Sequence, residues 1–395
     1  MALTDFAPQF DNAYQEIFQK VLVAKEIMNT RFEPKLRFGE SIERVAYDIS
    51  GVQVRSVSRG SASTIDTITD SVELLNINLE KEAVFHISDG EVTQAGPLNP
   101  GETIGAKIAH LVAADLDARC FAEVDNALYS FDNGDLTTLA STGTAITLSS
   151  TTVPQMVSRM PAKLRFRNNQ EVTTNMVFVV DSYAASDIAQ YLLGKNIDLA
   201  GAVFKNGYTG DISNAKMYVS ENLKGEATLV VDIATADEVF TIFGVTFTAK
   251  ASPAAAGEFD VAASADAQGQ IMVDMLNGTG TPGASSYIAL SDADRNTLIA
   301  AGVEASYNTG TDVLTVTARG RIIFSTTMSG ATTNKLHCYF GKRGAIDLVV
   351  QDMKEVDMRR TADRRGTNVF TSYLAGLKTF SDGAKKFLDV HILVA

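Results

Sequence analysis

Between Asp5 and Thr30 the apolar residues fall at helical spacing. Phe10, Tyr14, Ile17, Phe18, Val21, Leu22 and Ile27 share one broad face, with Lys20, Lys25 and Glu26 among the polar positions. This predicts a helix that needs another surface to cover it. From Arg37 to Glu91 the period shortens. Val45–Ile49 and Val52–Val57 alternate in part across Ser50-Gly51, a Ser/Thr-rich stretch runs from Ser56 to Ser71, and Val72–Leu79 alternates again. Two strand-rich arms with a polar tip describe a long exposed hairpin. Its own core is too small to stabilise it, so it is expected to find partners on another chain.

The clearest helical pattern runs from about Thr103 to Tyr129. Ile104, Ile108, Leu111, Val112, Leu116, Phe121, Val124 and Leu128 recur at spacings of three to five, downstream of Pro100-Gly101 and stopped by Asn133-Gly134. At 1.5 Å per residue such a helix is about 35 to 40 Å long. Val153–Leu164 and Tyr183–Leu193 also read as helices, and Met176–Val180 and Ala215–Val219 as strands, the latter after a glycine-punctuated stretch at 205–212.

From Gly225 to Gly330 the composition turns to glycine, alanine and threonine. Short strands are predicted at Thr228–Asp232, Val239–Ala249, Ala305–Tyr307, Val313–Ala318 and Arg321–Ser325, with short helices near Ala263–Leu276 and Asp292–Ala301. Twelve acidic residues stand here against four basic ones, which marks an inserted β-rich domain with an acidic surface. After it come apolar runs at Leu336–Phe340 and Ala345–Gln351, a basic patch, and strands at Val369–Tyr373, Gly376–Phe380 and Phe387–Val394. The segments flanking the insertion are expected to close one α/β core together.

The 395 residues, 45% hydrophobic and 21% charged, fit a globular chain of about two folding units. The Met1–Ala7 start does not read as a signal peptide, and no apolar run suggests a membrane span. A formal net charge of −13 disfavours a sequence-specific nucleic-acid binder. It is compatible with a protein that encloses a polyanion without gripping it.

The chain offers little chemistry. His86, His110, His337 and His391 lack the spacing of a zinc helix, and Cys120 and Cys338 are far apart, so both sets are expected to be structural. There is no phosphate loop and no nucleophile elbow. Asp66, Asp70 and Asp89 lack the alternation of a calcium loop, and Asp115 and Asp117 diverge on a helix. The basic run Lys354, Arg359, Arg360, Arg364 and Arg365, interleaved with Asp357 and Asp363, suits salt bridges at a subunit contact better than nucleic-acid binding. No catalytic, cofactor or metal site is expected.

The order of these elements resembles the major capsid proteins of tailed bacteriophages with the Hong Kong 97-type fold. The resemblance rests on the helical N-terminal segment, the long loop at Arg37–Asn78, the strand pattern at Asn78–Ile87 and the long helix at Thr103–Tyr129. The passage Gly207-Tyr208-Thr209-Gly210 through Ser220-Glu221-Asn222-Leu223 carries it most specifically, with Gly344–Gln351 and the late Tyr373 and Gly376-Leu377-Lys378 in support. Other phage structural proteins, such as tail or sheath components, and encapsulin-like compartment shells remain alternatives.

The resemblance implies an α+β fold with an N-terminal arm (1–36), an extended loop (37–78) and a peripheral domain with its spine helix (79–152). An axial domain (153–224), the inserted acidic domain (225–330) and the rest of the axial and peripheral core (331–395) would follow. It also implies a non-enzymatic subunit that self-assembles into pentamers and hexamers of an icosahedral head around double-stranded DNA. Scaffolding, portal and decoration proteins are possible partners, no membrane is involved, and the location is the virion, with assembly in the host cytoplasm. Arg55, Arg59, Asp66, Asp70, Arg359, Arg360, Arg364 and Arg365 are the candidate intersubunit contacts.

Overall fold

A computed structural model describes residues 23–31, 41–48, 52–56, 65–88, 100–167, 175–193, 211–212, 215–351, 357–360 and 365–394. The chain divides into two compact units, Met1–Leu116 with Arg343–Lys386, and Asp117–Lys342 with Phe387–Ala395. Most of the expected N-terminal helix and the glycine passage at 207–210 lie outside the described residues.

In the first unit, a short helix α1 (Val23–Ile27) buries Ala24 and Ile27. Strands β1 (Ser41–Asp48) and β2 (Thr69–Asn76) form an antiparallel hairpin, in register from Ser41 opposite Asn76 to Asp48 opposite Thr69. Residues 52–56, expected as a strand, are not one. Strand β3 (Leu79–Ser88) pairs along ten residues with β18 (Gly366–Lys378), whose other edge carries β16 (Asp347–Gln351) and β17 (Asp357–Arg360). The two expected strands at 369–373 and 376–380 are thus one long strand, because Gly376 stays in the ladder opposite Val349. A single helical turn α7 (Ser381–Ala384) follows β18.

Helix α2 (Pro100–Ala122) has 23 residues, about 35 Å at 1.5 Å each. It passes from the first unit's residues into the second's. The apolar pattern suggested a helix to Tyr129, but the backbone tightens into a 3₁₀ turn at Glu123–Asn126 and extends at Ala127. The buried Val124 explains why the apolar spacing continued. The extension frees β4 (Tyr129–Phe131) to pair in parallel with β19 (Phe387–Leu393).

The second unit is organised by one long strand, β15 (Thr332–Lys342). Along it lie β8 (Lys224–Val230), β5 (Met176–Val180) and β19, and β5 continues to β7 (Ala215–Val219) and β6 (Asp211–Ile212). Beyond β8 the sheet is extended by β13 (Val313–Arg319) and β12 (Glu304–Asn308), giving nine strands among the described residues. Helices α3 (Thr152–Arg167) and α4 (Ser182–Leu193) flank β5 in sequence, and β5 is buried along its whole length.

A second sheet in this unit contains β9 (Val239–Ile242), β10 (Val245–Lys250), β11 (Glu258–Asp260) and β14 (Phe324–Thr326). The sequence pattern merged β9 and β10 into one run. Phe243 and Gly244, with φ of 50° and 80°, instead make a two-residue turn of the kind that joins twisted hairpin strands. Phe240 stacks on Phe247 at 4.5 Å and on Phe324 at 5.6 Å, between centroids, and all three are buried. Helices α5 (Ala265–Asn277) and α6 (Asp292–Ala300) begin where the Ser264 and Ser291 side chains accept from the backbone N–H of Ala267 and Asp294. Their Met272, Met275 and Leu298 join the same core.

Candidate assembly surfaces and a buried polar cluster

The β1–β2 hairpin treats its two faces differently. On one, Leu75 packs with Ile77, Val349 and Phe380, supported by Ile42 and Leu374. Beside them Arg44 lies 5.1 Å from the Phe380 ring centroid and pairs with Asp347 and Asp382, while the Glu73 carboxylate accepts from the Ser381 backbone N–H. Asn29 donates to Asp347, tying the segment after α1 to the same place. Burial pushes the Asp347 carboxyl up to about 6, although Asn29 and Arg44 favour its ionised form. On the other face Val45 stands directly opposite Val72, and both are exposed together with Leu74.

Further out, Val54 is fully exposed and Ile65 is 89% exposed. Between them the Arg55 guanidinium donates twice to Asp66, each bond 2.8 Å long, and the Gln53 backbone N–H donates to the same carboxylate. The Arg55 bonds, then the Gln53 bond, hold Asp66 below the usual carboxylate range. Arg55 and Asp66 therefore meet within one chain. Asp70 is exposed on β2, opposite Tyr47, and Arg59 lies outside the described residues.

The basic patch is partly described. Arg359 and Arg360 are exposed on β17, with the Arg359 guanidinium 5.6 Å from the Phe370 ring centroid. Arg365 is exposed just before β18, and Arg364 lies outside the described residues.

The sequence reading missed a third feature, wholly inside the second unit. His337 on β15 is the direct cross-strand partner of His391 on β19 and of Lys224 on β8. Side chains two apart share a sheet face, so Glu226, Lys335 and Asp389 join the same face. His337 Nδ1 lies 2.8 Å from Asp389 Oδ2 and 2.8 Å from Asp125 Oδ1, the latter from the 3₁₀ turn after α2. His391 Nε2 lies 2.9 Å from Asp389 Oδ2. Lys224 pairs with Asp125, and Lys335 with Glu226 at 2.9 Å.

Burial opposes a charge on His337, but bonds to Asp125, Asp389 and Glu226 outweigh it and push its pKa up to about 11. For Glu226 burial is likewise outweighed, by His337 and Lys335, and its pKa falls to about 2. Asp125 and Asp389 are depressed in the same way, against their own burial, by His337 together with Lys224 and His391 respectively. His337, Asp389 and His391 are all buried. The available signal was alternation: Asp389 and His391 interrupt the apolar run Phe387–Val394 on one face only.

No family model and no curated protein matches the sequence. Among solved structures, the chain is similar to one titled "Capsid structure of the Cyanophage P-SCSP1u", with a TM-score of 0.50 and 12% identity over 95% of this chain and 89% of that one. A chain of Mycobacterium phage Che8 gives a TM-score of 0.48 and 14% identity over 94% and 90% of the two chains. A capsid chain of an empty GTA particle gives 0.42 and 10% over 95% and 90%. The cyanophage likeness establishes the fold: an α+β capsid fold of the Hong Kong 97 type, as the element order implied.

Proposed function

We propose that this chain is the major capsid protein of a tailed phage, a shell subunit and not an enzyme. The observation that carries the reading is the fold shared with the cyanophage capsid chain over nearly the full length of both. The hairpin supports it, since one face is anchored on the subunit and the other presents Val45, Val72 and Leu74 to solvent. Exposed apolar surface of this kind marks a protein contact.

In this reading the subunit forms pentamers and hexamers, and the shell surrounds double-stranded DNA in the virion after assembly in the host cytoplasm. The 37–78 loop lies over a neighbouring subunit, with the 1–36 arm beneath it. Arg359, Arg360, Arg364 and Arg365 pair across the contact, as do Arg59 and Asp70, while Arg55 and Asp66 brace the loop that reaches it. The 225–330 region faces outward, where a decoration protein could bind, and scaffolding and portal proteins complete the assembly. The net charge of −13 keeps the packaged polymer off the wall.

Expression of the full chain followed by negative-stain microscopy tests the assignment. Closed icosahedral shells are the expected product, and tubes would assign the chain to a tail instead. Removal of residues 60–70 is expected to abolish closed shells, and normal particles from that variant would remove the loop from the contact.

A further inference from the structure

The buried cluster on β15 and β19 has the form of a metal site. Three potential ligands come from one face of two adjacent antiparallel strands: Asp389 and His391 two apart on β19, and His337 directly opposite His391. One coordinating atom from each lies within 4.8 Å of the other two. A two-apart pair on one strand with a third ligand on its neighbour converges because alternate side chains leave the sheet in the same direction.

The hydrogen bonding is over-subscribed on one side and empty on the other. His337 Nδ1 has two carboxylate oxygens at 2.8 Å, and one N–H proton cannot lie on the line to both. Meanwhile Asp389 Oδ1 and His391 Nδ1 have no hydrogen-bond partner among the described residues, and His337 Nε2 has only Glu226 Oε2, 3.4 Å away. His337 is only 3% exposed, and buried polar groups are ordinarily paired.

We propose that His337 Nδ1, His391 Nε2 and Asp389 bind a divalent transition metal, zinc being the probe of choice. Two imidazoles with a carboxylate suit zinc. Its bonds of about 2.0 to 2.2 Å put tetrahedral ligand atoms roughly 3.3 Å apart, so the separations of 2.8 and 2.9 Å from Asp389 Oδ2 to the two imidazole nitrogens need to open only slightly. The metal takes the place of the His337 Nδ1 proton. His337 Nε2 then keeps its hydrogen and faces Glu226 Oε2 at 3.4 Å, the carboxylate that orients a ligating imidazole from behind. Lys224 and Lys335 hold Asp125 and Glu226 in place and offset two of the three negative charges. Bound metal would fasten the last strand of the chain to β15. The site needs no second subunit, so its failure leaves the shell reading untouched.

The full-length protein, purified without chelator and dialysed, is assayed for metal by plasma mass spectrometry. It is then titrated with zinc chloride by calorimetry and melted with and without a chelator. The expected result is one zinc per chain and a Tm lowered by the chelator and restored by zinc. His391→Gln and Asp389→Asn, each checked by circular dichroism, should lose both the metal and the zinc-dependent Tm shift. Glu226→Gln should retain zinc with affinity reduced about 10- to 100-fold. His86→Gln, in the other unit, should behave as the parent. A parent protein without zinc and with no zinc-dependent Tm change would overturn the site, leaving His337 as a protonated imidazolium among its carboxylates. So would zinc retained equally by His391→Gln, or lost equally by His86→Gln.

Discussion

The 225–330 region and the β1–β2 hairpin use the same kinds of apolar residue in opposite ways. In the former, Phe240, Phe247, Phe259 and Phe324 are all buried within their own chain, closed over by the methionines of α5 and by Leu298 of α6. In the hairpin, Val45, Val54, Ile65, Ile68, Val72 and Leu74 remain exposed, and only the Leu75 side is covered. Alternation predicts a strand with two unlike faces in both places. Whether the apolar face is covered depends on what the rest of the chain brings to it. One region contains its own second layer, and the other leaves its outer face exposed.

The largest effect should come from charging the uncovered face. Ile65→Asp and Val72→Asp are expected to abolish shell formation in sedimentation and microscopy. The unfolding free energy of the unassembled chain should move by no more than about 0.5 kcal/mol. Loss of folding instead would mean that this face is covered within the chain.

The converse change belongs to the closed core. Phe240→Ala removes a ring stacked on two others and is expected to cost about 3 to 5 kcal/mol by denaturant unfolding. A cost below about 1 kcal/mol would mean a loosely packed interior.

The smallest effect concerns the base of the hairpin. Because the folded Asp347 pKa, about 6, lies above the ordinary 3.8, the folded state favours the neutral carboxyl. That contribution is full below pH 3.8 and is lost as the pH rises to about 6. Asp347→Asn should flatten this part of the stability profile, and an unchanged profile would assign the slope to another group.

Much of the element order was legible, because long periodic segments announce themselves. The helix at 152–167, the strand at 176–180, the helices at 265–277 and 292–300 and the last strand lie where the spacing put them. Boundaries were lost where a local backbone choice overrode the period. Phe243-Gly244 adopts a turn that two apolar flanks concealed, and the 3₁₀ turn at Glu123–Asn126 ends a helix whose apolar spacing continues through Val124 and Leu128. Arg55 and Asp66, expected at a contact with another chain, also meet each other across 11 positions.

The sequence by itself determined which faces of the strands are apolar, that a long helix follows the third strand and that no familiar catalytic string is present. These follow from side-chain alternation and helical period, which are local properties. Only the tertiary structure decided that His337, Asp389 and His391 share one buried face with Asp125 and Glu226. Their positions span 125 to 391, and register across β8, β15 and β19 unites all but Asp125, which reaches them from the 3₁₀ turn after α2. Strand pairing is a long-range choice, made by packing over the whole sheet, and no window of sequence contains it.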